Sequence, residues 1–78
     1  MNRDVLAGKW KQLKGEVRNR WGRLTDDELD QVAGNAEKLV GLIQERYGIA
    51  RDEAERELGQ IVDTYDAHEP EHAGRVRG

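Results

Sequence analysis

VLAGKWKQLKGEVRNRWG, residues 5–22, lies without a gap on QVAGNAEKLVGLIQERYG, residues 31–48. Ala7, Gly8, Leu13, Gly15, Arg20 and Gly22 fall on Ala33, Gly34, Leu39, Gly41, Arg46 and Gly48, while Val17 meets Ile43 and Trp21 meets Tyr47. The same offset carries Asp26 onto Asp52 and Asp27 onto Glu53. A unit used twice predicts two similar helical hairpins, packed across each other about a pseudo-twofold axis. No catalytic residue type recurs with the repeat.

Within the first copy, Leu6, Trp10, Leu13, Val17 and Trp21 recur at the spacing of one helix face. This predicts a first helix over residues 3–21, with Gly22 ending it in the left-handed conformation that glycine adopts without a steric penalty. Thr25 followed by Glu28 has the form of a capping box, and Leu24 with Leu29 that of a hydrophobic staple. A second helix therefore starts at Asp26, buries Leu29 and Val32, and stops near Ala33, before Gly34. Asn35 is placed to cap a third helix whose inner face is Leu39, Val40, Ile43 and Tyr47, closed by Gly48. The fourth runs from Arg51 to Tyr65, with Ala54, Leu58, Ile61 and Tyr65 on one stripe. No stretch alternates with period two, so the fold class is all-α: four short helices in residues 1–65. The remaining DAHEPEHAGRVRG, residues 66–78, has almost no apolar content and reads as a disordered polar tail.

Seventy-eight residues make one domain with a modest core. Cysteine is absent, which excludes disulfides and thiolate metal sites. The opening MNRDVLAGKW has no apolar run of a secretory signal, and no segment approaches the roughly 20 apolar residues of a membrane span. A cytoplasmic location is the expectation. Charged residues make up 37% of the chain and its mean hydropathy is −0.95. The charge is divided unevenly. Residues 1–24 hold seven basic and two acidic side chains, whereas residues 25–78 hold six basic and fourteen acidic ones. Either the basic segment faces an anionic partner, or it complements the acidic remainder of its own fold; the second reading is preferred.

The string GKWKQLKGEVRNRWGRLTDDELDQVAG, followed by AEKLVGLIQERYG, resembles the CsbD-like family of small bacterial stress-response proteins. The resemblance is carried by Trp10-Lys11-Gln12 before Lys14-Gly15, by Trp21-Gly22 and Leu24-Thr25-Asp26-Asp27, by the Gly34 junction, and by Leu39-Val40-Gly41 with Gln44-Glu45-Arg46-Tyr47-Gly48. It covers about residues 2–65. Lys9 stands where the family often has Asn, Asn35-Ala36 replaces a more basic pair, and the tail after Asp66 has no counterpart. The resemblance implies four helices in two crossed hairpins, similar to the sterile-alpha-motif arrangement. It implies expression linked to general or osmotic stress, with no catalytic activity and no cofactor. The hydrophilic, glycine-rich composition is also similar to that of hydrophilins, which shield other macromolecules during water loss. The expectation is a non-enzymatic protective or interaction module with an unknown macromolecular partner.

Three motifs compete with that reading. His68-Glu69-Pro70-Glu71-His72 has the H-E-x-x-H spacing of zinc proteases, but Pro70 breaks the helix the chemistry needs, and no later His, Asp or Glu remains to complete the ligand set. Lys11, Lys14 and Arg18 form one basic flank of the first helix, with Lys9 and Arg20 on the other side of its tryptophan-bearing stripe. Basic residues interleaved with aromatics can hold phosphates and stack bases, so Lys11, Lys14 and Arg18 are the candidate surface for nucleic acid or another anionic partner. The same basic amphipathic helix could lie on an anionic membrane surface only if its tryptophans left the core. The preferred place for Trp10 and Trp21 is the core, and the pI near 5.3 weighs against a polyanion. Finally, Asp26-Asp27 and Glu53, Glu55 and Glu57 suit a helix start and a solvated helix face better than acid–base chemistry, and the chain contains no serine nucleophile.

Overall fold

A computed structural model describes residues 2–67. Among them are five helices and no strand: α1 (Arg3–Gly8), α2 (Trp10–Arg20), α3 (Asp26–Val32), α4 (Ala36–Tyr47) and α5 (Arg51–Ala67). The expected tail, beyond Ala67, lies outside the described residues, and α5 continues two residues past the predicted end at Tyr65.

The fifth helix comes from a break in the segment expected to form one helix over 3–21. Lys9 adopts φ −116° and ψ 28°, donates its N–H to the Val5 carbonyl, and accepts from Gln12 and Leu13 on the far side. One helix thus closes at the residue where the next opens. The repeat accounts for the position of this break. Gly8-Lys9 is the equivalent of Gly34-Asn35, so α1–α2 and α3–α4 are the same short-helix, long-helix unit used twice.

The best-signalled boundary forms as its residues dictate. The Thr25 hydroxyl accepts from Glu28 N–H at 3.1 Å while the Glu28 carboxylate accepts from Thr25 N–H at 3.0 Å. Asn35 caps α4 by accepting from Lys38 N–H, and Asn2 caps α1 by accepting from Asp4 and Val5. At the other ends, Gly48 closes α4 with φ 65°, as expected, but Gly22 does not close α2. Trp21 takes that place with φ −124° and ψ 79°; its N–H still reaches the Val17 carbonyl, and its side chain is drawn into the core at 2% exposure. Helix α3 ends in two successive left-handed residues, Ala33 at φ 50° and Gly34 at φ 82°.

These turns bring one apolar cluster together. Leu6, Leu13, Val17, Trp21, Leu24, Leu29 and Val32 are buried from the segment up to the end of α3, and Leu39, Val40, Ile43, Leu58 and Val62 from α4 and α5. Complete burial of such a side chain contributes about 2 kcal/mol. In α5 the buried line is Ala54, Leu58 and Val62, at steps of four; Ile61 and Tyr65, expected in the stripe, sit half-buried at its edge. Helix α4 packs on α5 and α3, α2 on α5, and α1 on α2, α4 and α5. Trp10 is half-buried against this cluster and donates its indole N–H to the Leu29 carbonyl at 3.2 Å.

Candidate functional site

The candidate basic surface lies along α2. Lys14 Nζ donates to Asp30 at 2.5 Å and Arg18 to Asp26 at 2.5 Å, so two of its three cations are bound to α3. The hydrogen bond to Asp30 is the chief reason that the Lys14 ammonium is raised above its ordinary 10.5, with the charges of Asp30 and Asp26 adding to it. Lys11 is exposed on the same flank. On the opposite side, Arg20 donates to Glu57 of α5 and lies over the Trp21 ring, 5.5 Å from its centroid. Trp21 is buried, and Trp10 is half-buried with its indole N–H on the Leu29 carbonyl.

The pairing seen along α2 extends around the molecule. Glu37 on α4 accepts from Arg51 of α5 at 2.6 Å and from Arg3 of α1 at 2.8 Å. Arg51 also meets Glu55 at 3.0 Å, one turn along the same helix, and Arg3 approaches Glu55 at 3.9 Å. Arg46 pairs with Glu28, joining α4 to α3. Arg23, in the turn after α2, donates its backbone N–H to the Tyr47 hydroxyl at 2.9 Å and its guanidinium to the Arg46 carbonyl at 3.2 Å. Arg3, Lys14, Arg18 and Arg20, cations of residues 1–24, thus meet carboxylates of residues 25–67. Only the Arg51–Glu55 pair is legible from local spacing. The others join residues 8 to 52 positions apart, from Arg18 with Asp26 to Arg3 with Glu55.

Carboxylates singled out in the sequence have the same employment. Asp26 lies in the first turn of α3 and pairs with Arg18, Glu55 and Glu57 are partners of Arg51 and Arg20, and Asp52 and Glu53 sit in the first turn of α5. Among the described residues no three His, Asp or Glu side chains are grouped to hold a metal, and no buried side-chain polar atom lacks a hydrogen-bond partner. The His68–His72 motif lies outside the described residues. An open groove of about 450 Å³ lies between α2 and α5, lined by Ile61 and Tyr65 and edged by Glu16, Arg20 and Glu57.

The ion pairs give the fold an acid-sensitive element. The Glu37 carboxyl is held below its ordinary 4.5, first by the hydrogen bond from Arg51 and then by that from Arg3. A carboxyl lowered by folding stabilises the folded state above its unfolded pKa and loses that contribution as pH falls through the folded value. Melting temperature should therefore decline as pH falls from roughly 5 toward 3. Glu37→Gln should be less stable at neutral pH and flatter across that interval; a variant with the same acid slope as the parent would contradict the assignment. The pair is solvent-exposed, so the effect is small and screened by salt.

No helix among the described residues is long and apolar enough to cross a membrane. The CsbD-like family profile matches residues 4–56. A UPF0337 protein of Bordetella pertussis is 57% identical over 63 residues, spanning 81% of this chain and 96% of its own length. A UPF0337 protein of Pseudomonas aeruginosa is 54% identical over 63 residues, spanning 81% and 97%. The UPF0337 protein YjbJ of Escherichia coli K12 is 52% identical over 58 residues, spanning 74% and 84%. No solved structure matches the chain.

Proposed function

The chain belongs to the CsbD-like family of general stress-response proteins, and from that premise we propose that it is a non-enzymatic cytoplasmic module that protects other macromolecules through its polar surface. The observation that carries this reading is the pairing of surface cations and carboxylates across helices. A surface whose charges answer one another is strongly hydrated yet commits to no single partner of opposite sign. Its net charge of −3 and high charged content favour solubility and spacing between neighbours. Such a surface can separate labile proteins as water is withdrawn, with no binding pocket required. A polyanion on Lys11, Lys14 and Arg18 would have to displace Asp30 and Asp26 first, which is why the protective reading is preferred over an anionic partner.

The test is a drying and rehydration cycle on a desiccation-sensitive enzyme, with this protein at low molar ratio. A control protein of equal size and net charge is run beside it. Activity retained above the control supports the reading; equal loss in both overturns it.

A further inference from the structure

The groove between α2 and α5 takes its apolar lining from Ile61 and Tyr65, which stand half-buried at the edge of the core. Two carboxylates edge it. Glu57 is held by Arg20 at 2.5 Å, while Glu16, exposed on α2, forms no ion pair among the described residues. Helix α5, one wall of the groove, runs to Ala67, and the chain beyond lies outside the described residues. The sequence that follows, HEPEHAGRVRG, holds Val76 as its one branched aliphatic side chain, set between Arg75 and Arg77. An apolar side chain flanked by two cations is the complement of an apolar groove edged by carboxylates.

We propose that Arg75-Val76-Arg77 folds back along α5 and docks in this groove, with Val76 against Ile61 and Tyr65 and the arginines at the rim beside Glu16. The lengths agree. Ile61 lies six residues before Ala67, about 9 Å back along the helix axis. Val76 lies nine residues after Ala67, and an extended chain of that length spans up to about 30 Å. The excess leaves room for a reversal, which Pro70 and Gly74 favour. Successive side chains of an extended segment point to opposite sides, so Val76 turns inward while Arg75 and Arg77 stay at the rim. Glu69 and Glu71 fall in the reversal, before the docked stretch. One valine and exposed ion pairs only just offset the entropy of ordering the segment, so docked and undocked forms are both populated. Salt screens the exposed pairs. The groove is therefore covered at low ionic strength and opens to other apolar surfaces as salt rises.

The test uses the full chain with Gly78→Cys, which supplies its one cysteine as the attachment point for a nitroxide. Paramagnetic broadening of amide signals should concentrate at Glu16, Ile61 and Tyr65. It should spare Gln31 and Lys38, which line a separate depression between α3 and α4. Val76→Ser should lower the ratio of docked to undocked forms about fivefold, and Glu16→Lys about threefold. Raising salt from about 0.1 M to about 1 M should act in the same direction, since the screening length falls from about 10 Å to about 3 Å. Glu16 is exposed, so circular dichroism should report an unchanged fold in its variant. Broadening at the groove that survives either substitution or the salt step would overturn the proposal, as would broadening spread evenly over the surface. A nitroxide-bearing chain mixed with an isotope-labelled chain lacking the nitroxide should broaden nothing. Broadening of the groove in that mixture would make a second copy the occupant, and would overturn the proposal too.

Discussion

Gly34→Ala should destabilise the fold by roughly 3 kcal/mol. Two effects add. Gly34 has φ 82°, a conformation that costs an L-residue about 1–2 kcal/mol. The new Cβ would also lie 2.9 Å from the Ala7 Cα, 3.3 Å from the Leu6 carbonyl oxygen and 3.3 Å from the Trp10 Cβ. Two of those three atoms belong to backbone and the third is rooted on it, so no rotamer change relieves the overlap. Only a shift of α1 does, and that disturbs the burial of Leu6. For a domain of this size the loss lowers the melting temperature by on the order of 15 °C. Gly48→Ala is the matched control, because φ there is 65° but nothing lies within 4 Å of the added carbon. It should show the conformational part alone, about 1 kcal/mol. Equal melting shifts in the two variants would mean that the close approach of the Gly34 turn to α1 contributes nothing.

Trp21→Ala should be more damaging still, at about 3–5 kcal/mol. The side chain is 2% exposed at the point where α2 ends, between the buried Val17 and Leu24 in sequence, with Arg20 over its ring. Removing it opens a cavity and frees the turn that orients Leu24 toward α3. A chain this short has a total stability of roughly 4–12 kcal/mol, so the variant should be substantially unfolded at physiological temperature. Urea unfolding followed by far-ultraviolet circular dichroism measures the change. Trp21→Phe, which keeps an aromatic ring, should recover most of the loss. A variant with alanine at 21 that melts within a few degrees of the parent would remove Trp21 from the structural role assigned to it.

The starts of α3 and α4 were legible because caps are local. Thr25 with Glu28, and Asn35 with the N–H of Lys38, each settle their geometry within three residues. The bend at Lys9 was harder to see, since Leu6, Trp10 and Leu13 keep helical spacing straight through it. Its only mark in the sequence is the alignment of Gly8-Lys9 on Gly34-Asn35, where a helix end was already evident. The end of α2 misled for a different reason. Gly22 occupies the place of Gly48, but the pull of the core on Trp21 turned the chain one residue earlier without a left-handed glycine. In α5, Ile61 and Val62 both suit a helical stripe drawn from Leu58, and only the position of α2 and α4 decides that Val62 goes inward. The basic flank was readable as residues on one face. That Asp30 and Asp26 engage Lys14 and Arg18 depends on where α3 crosses α2, which composition does not specify.

The architecture has a kinetic corollary. Five short helices joined by brief turns form largely from segments near in sequence, and such topologies assemble in microseconds to milliseconds. Residues 2–67 contain no proline to isomerise and the chain has no cysteine to mispair, so the slow steps that delay other small proteins do not arise there. A body of this design, residues 2–67, can unfold and refold quickly without help from an isomerase or a redox partner.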